Sequence, residues 1–74
     1  MTLPELQYKI EVGRLVEFFH GKDKYLIRGE NEGGRQAIHF GKEFEAGTKY
    51  SSFNEFMEAA RVGNQYLREY IQSV

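Results

Sequence analysis

The chain has 74 residues, no cysteine and no tryptophan, and a net charge of −1 from ten basic and eleven acidic residues of interleaved sign. That length holds one hydrophobic core, so a single domain over residues 1–74 is expected. Without cysteine there is no disulfide framework, thiolate zinc site or cysteine nucleophile, and a reducing, cytoplasmic setting is implied; without a one-signed field there is nothing to draw in nucleic acid or an anionic membrane.

The first residues, Met1-Thr2-Leu3-Pro4-Glu5, carry neither a basic n-region nor an apolar h-region, so no signal peptide is expected. They read instead as a helix start. The Thr2 hydroxyl can accept from the amide near Glu5, Glu5 can reach back, and Pro4 sits in the first turn, where a missing N–H costs little. Leu3, Leu6 and Ile10 share one helical stripe, and Gly13 is suited to end the helix in the left-handed region. Leu15–His20 and Tyr25–Arg28 are rich in β-formers, and the connection Gly21-Lys22-Asp23-Lys24 has turn composition. Gly29–Gly34 reads as a second, looser turn, Arg35–Phe40 as a third strand, and Phe44–Tyr50 as a short fourth strand interrupted by Gly47. Ser52-Phe53-Asn54-Glu55 repeats the capping signature. Phe53, Phe56, Met57 and Ala60 then follow at helical spacing up to Gly63, and Leu67, Tyr70, Ile71 and Val74 predict a short last helix. The expected fold is α+β: an antiparallel sheet of three or four strands, one helix before it and two after it, packed on the sheet.

A turn over Gly21–Lys24 pairs the first two strands so that residue numbers sum to 45. Phe18 then faces Ile27, Phe19 faces Leu26, and Glu17 faces Arg28. Val16, Phe18, Tyr25, Ile27, Ile38 and Phe40 collect on one face, the expected core. Leu15, Glu17, Phe19, Leu26, Arg28, Ala37 and His39 collect on the other, with Lys24 at its rim. An apolar centre of Leu15, Phe19 and Leu26 inside the polar rim Glu17, Lys24, Arg28 and His39 has the anatomy of a binding face. A helix of the same chain crossing over to bury it is the competing expectation.

The frame Ile10-Glu11-x-Gly13-Arg14-x-Val16-Glu17-Phe18, then Gly21-Lys22-x-x-Tyr25-x-Ile27, then Tyr50-x-Ser52-Phe53-x-Glu55-Phe56 resembles small α+β proteins of Gram-positive bacteria and their phages or mobile elements. The resemblance spans most of the chain. It implies a bacterial cytoplasmic origin and brings no activity and no catalytic residues.

Chemistry leaves few marks. His20 and His39 are the only histidines, and the pleat sends them to opposite faces, so no metal site is expected. Gly29–Arg35 lacks the Gly-Lys-Ser/Thr ending of a phosphate loop and is followed by a strand rather than a helix, which leaves a hairpin turn. Ser51 and Ser52 read as helix caps, and no acid, base or nucleophile is set in a cleft, so no catalytic residue and no cofactor are expected. Lys22, Lys24, Arg28, Arg35 and Lys42 with Tyr25 and Phe19 would suit a nucleic-acid sheet surface, except that Tyr25 falls on the core face and acids stand among the bases. The reading is a non-catalytic interaction module with a protein partner or itself, and no membrane contact. A nucleic-acid binder is the second class, and a small-ligand or nucleotide binder with a pocket between subunits the third.

Overall fold

The computed structural model describes all residues, Met1–Val74. Helix α1 spans Leu3–Glu11. Thr2 caps it through its hydroxyl, which accepts from the Glu5 N–H, and the Glu5 side chain returns to Thr2, completing the capping box. At the other end Gly13, at φ 76°, lets Arg14 N–H reach the Lys9 carbonyl and Gly13 N–H the Ile10 carbonyl. This is a Schellman closure, which needs a left-handed residue at that position.

Four strands follow as an antiparallel meander in the order β1-β2-β3-β4: β1 Leu15–His20, β2 Asp23–Glu32, β3 Arg35–Lys42 and β4 Thr48–Tyr50. Two expectations on the turns are corrected. The first hairpin turns on Gly21-Lys22 alone, with His20 paired to Asp23, so the numbers sum to 43 and not 45. Gly21 at φ 63° supplies the positive φ that a two-residue turn needs at its first central position. Asp23 and Lys24 are thereby strand residues. The looser turn expected over Gly29–Gly34 shrinks to Gly33-Gly34, both at positive φ, and β2 continues to Glu32. The fourth strand is confined to Thr48–Tyr50, because Glu43–Gly47 folds as a loop.

The sheet face carrying Val16, Phe18, Tyr25, Ile27, Ile38 and Phe40 is the core, and all six residues are buried. Phe18, Tyr25 and Phe40 stack on one another, and Phe56 meets Phe40 edge-on with ring centroids 5.6 Å apart. Helix α1 adds Leu6 and Ile10 to this cluster. The helix end runs close over β2, where a Cβ on Gly29 would stand 2.1 Å from the Ile10 carbonyl oxygen. Helix α2, Phe53–Ala59, brings Phe56 and Met57; Ser52 caps it, while Glu55 reaches one residue further back, to Ser51. The stretch to Gly63 is not helical as expected. Arg61–Val62 (β5) and Gln65–Tyr66 (β6) form a two-residue-turn hairpin on Gly63-Asn64. The last helix, α3, spans Leu67–Tyr70 and tightens into a 3₁₀ turn over Ile71–Ser73. Leu6, Ile10, Phe56, Met57, Leu67 and Ile71 all belong to the same core cluster as the inner sheet face, so the three helices share one side of the sheet. No helix is long and apolar enough to cross a membrane.

Candidate interaction surface

The opposite sheet face is open over β1, although Ala37 on β3 is buried and Leu26 and His39 are half-buried. Phe19 is 62% exposed and Leu15 43% exposed, so no helix of the chain crosses over to cover it. All seven expected surface residues, Leu15, Glu17, Phe19, Lys24, Leu26, Arg28 and His39, lie on this face. They do so because a register error of two residues leaves the pleat unchanged; side chains alternate with a period of two.

Their cross-strand partners do change. Phe19 stands opposite Lys24, Glu17 opposite Leu26, and Leu15 opposite Arg28. The expected side-by-side Phe19–Leu26 pair is therefore a diagonal, and the expected Glu17–Arg28 pair is absent. On this face each apolar residue of β1, Leu15 and Phe19, faces a charged one, and the surface is a checkerboard instead of an apolar centre in a charged rim. Glu17 pairs with Lys24, whose ammonium also lies 3.4 Å from Glu43. The hydrogen bond to Glu17, with both carboxylate charges, raises the Lys24 pKa above its ordinary value. Arg28 in turn leans toward Glu30.

Leu15, Leu26, Arg28, His39 and Gly41 line a depression of about 330 Å³, whose far wall is Glu45 and Ala46 of the β3–β4 loop. That loop can come this close only because both residues at the crossing are glycine. A Cβ on Gly41 would sit 2.5 Å from the Gly47 Cα. At the loop's tip is a residue expected from the sequence to lie in a strand. Phe44 is 98% exposed and is the one non-glycine residue with positive φ, at 70°. A bulky residue in that region is an outlier that costs free energy. Two flanking glutamates between Gly41 and Gly47 were the signal for a loop.

A second group was also missed. Glu30 and Glu32 stand two apart on β2, on the same face as His39, and His39 Nε2 lies 3.5 Å from Glu30 and 3.7 Å from Glu32. These are the side chains whose donor atoms gather closely enough for a cation. Both carboxylates are already balanced, however. Lys49 donates to Glu32 at 2.8 Å and Arg28 approaches Glu30. The Lys49 hydrogen bond and charge hold the Glu32 carboxyl below the usual carboxylate range. Together they make a cross-strand ion ladder beside the depression. His20, by contrast, is on the core side, edge-on to Tyr70 at 5.1 Å and packed near Gly63, rather than a solvated strand-edge ring.

Aromatic and cationic groups elsewhere are engaged within the fold. Tyr25 is buried in the aromatic stack and cannot stack a base. Arg61 and Arg68 lie over the Tyr66 ring, at 4.6 and 4.2 Å, and Arg68 also donates to the Met57 carbonyl. No family model, curated protein or solved structure matches this chain.

Proposed function

We propose that the protein is a non-catalytic, cytoplasmic protein-binding module of bacterial or phage origin, which contacts its partner through the open sheet face and the adjoining β3–β4 loop. The observation that carries this reading is Phe44. Its ring touches almost nothing in the chain, while its backbone occupies a costly conformation. A residue that costs the fold free energy and returns no packing is well placed to serve a surface outside the fold. Phe19, Leu15 and Leu26 supply further apolar area within reach of the charged groups Glu17, Lys24, Arg28 and His39. Such a mixed face suits a partner that supplies both apolar contacts and hydrogen bonds, as protein interfaces do.

The test places a photo-crosslinkable phenylalanine analogue at position 44 in the cell of origin. The expected result is a discrete protein adduct that Leu26→Glu abolishes, with the far-ultraviolet spectrum of the variant unchanged. An adduct pattern indifferent to Leu26→Glu would remove the face from the reading.

A further inference from the structure

Strand β1 is an edge of the sheet. Edge strands are ordinarily blunted by lysine, proline, a bulge or shortness. The other edge, β4, is only three residues long. β1 is six residues, Leu-Val-Glu-Phe-Phe-His, fully in register with β2, and Glu17 is its one acidic residue, with no lysine or proline.

The two-residue turn decides which of its backbone groups are free. In such a hairpin the flanking pair, His20 and Asp23, exchanges both hydrogen bonds, and bonded pairs then recur at every second residue. Val16, Phe18 and His20 therefore point their N–H and C=O groups at β2. Leu15, Glu17 and Phe19 point theirs outward. The Lys24 carbonyl, which accepts from Glu43 on the β3 side at 2.8 Å, fits the same alternation. Of the outward groups, only the Phe19 carbonyl has a partner, the Tyr70 hydroxyl at 2.7 Å.

We infer that β1 pairs antiparallel with β1 of a second copy, about a twofold axis through Glu17, to give one continuous eight-stranded sheet. The inference goes beyond the binding-module reading: it concerns the β1 edge, which adjoins that face at Leu15 and Phe19, and leaves the Phe44 loop and Leu26 free for another partner. Self-pairing through Glu17 is the register that uses all three outward residues. It sets Leu15 against Phe19 of the second copy on both sides of the axis, so the residues that face charges within one chain find apolar partners across the interface. A slip of two residues would set Leu15 or Phe19 against Glu17 and lose one of the three pairs. The two Glu17 side chains meet at the axis, each already paired with its own Lys24, which offsets part of their repulsion. The backbone offers up to about six inter-strand hydrogen bonds, two from each pair of facing residues. Two of those use the Phe19 carbonyls, for which Tyr70 competes.

Proline at position 17 tests this directly. It removes an N–H that points away from β2, so the ladder within the chain is kept, as edge strands tolerate. Sedimentation velocity would run from about 5 to 500 µM, which brackets a dissociation constant in the micromolar range. The protein and Glu17→Ala are expected to shift from monomer to dimer with concentration. Glu17→Pro is expected to stay monomeric with an unchanged circular dichroism spectrum, and Tyr70→Phe to dimerise at lower concentration. A monomer at every concentration, or equal association of Glu17→Pro and Glu17→Ala, overturns the inference. Should Glu17→Pro fail to fold, amide exchange on the parent protein decides. The Leu15, Glu17 and Phe19 amides must slow as concentration rises, and concentration-independent exchange at all three refutes the pairing. Leu26→Glu lies on β2, off this edge, and should leave the dimer intact. Loss of the crosslinked adduct in that variant alongside a monomeric parent would sink the dimer and spare the binding module.

Discussion

Phe44→Gly should make this protein more stable. The Lys42 carbonyl accepts from the Glu45 N–H at 3.1 Å, so Lys42–Glu45 is a β-turn with Phe44 at its third position. A positive φ at that position, here 70°, is the requirement of a type II turn, which glycine meets without strain. An L-residue pays about 1–2 kcal/mol for the left-handed region. Glycine relieves that cost but gives back about 0.5–1 kcal/mol through the greater freedom of its unfolded chain. With the ring 98% exposed, no packing is lost. The net gain is about 0.5–1 kcal/mol, and for a domain of this size that is a rise in Tm of roughly 2–8 °C. Scanning calorimetry on Phe44→Gly and Phe44→Ala reads it. Alanine keeps the Cβ and most of the strain, so its Tm should stay near that of the parent. A Phe44→Gly protein that melts at or below the parent temperature, or an equal gain from alanine, would refute the strain argument. If the ring serves a partner, the same glycine variant should gain stability while losing the partner, the usual opposition between a strained site and a relaxed fold.

Two further outcomes are expected. Gly29→Ala must push the end of α1 off β2, since the new Cβ would meet a main-chain carbonyl that cannot swing aside; a loss of about 1–3 kcal/mol should appear as a lower urea midpoint, and an unchanged midpoint would show that the helix end does not sit there. Lys49→Met should raise the Glu32 pKa, followed by carboxyl-carbon NMR titration. Because Glu32 is depressed in the folded state, the stability it contributes is present above its unfolded pKa and is lost as pH falls through the folded value, so the variant should show a shallower acid-side dependence. A Glu32 titration indifferent to Lys49→Met would exclude the pair.

The sequence by itself determined the fold class, the helix starts at Thr2 and Ser52, and the division of residues between the two sheet faces. Each is local or periodic: a capping hydroxyl acts over three residues, and a pleat alternates whatever the turn that joins two strands. For that reason Leu15, Glu17, Phe19, Leu26, Arg28 and His39 reached the right face from a register that was two residues out. Who stands opposite whom was not local. Asp23 and Lys24 have turn composition, yet they fold as strand, and the Lys24 ammonium bridges Glu17 and Glu43 from two neighbouring segments. Nor could periodicity show that Gly41 and Gly47 meet, which converts the expected strand around Phe44 into a loop and lifts that ring clear of the chain. The remaining choice, whether a helix would cover the second face, belonged to the tertiary structure alone. Leu6, Ile10, Phe56, Leu67 and Ile71 all bury in one core with the inner aromatic stack. With every helical apolar stripe spent on that side, nothing in the chain was left to cover Phe19 and Leu15.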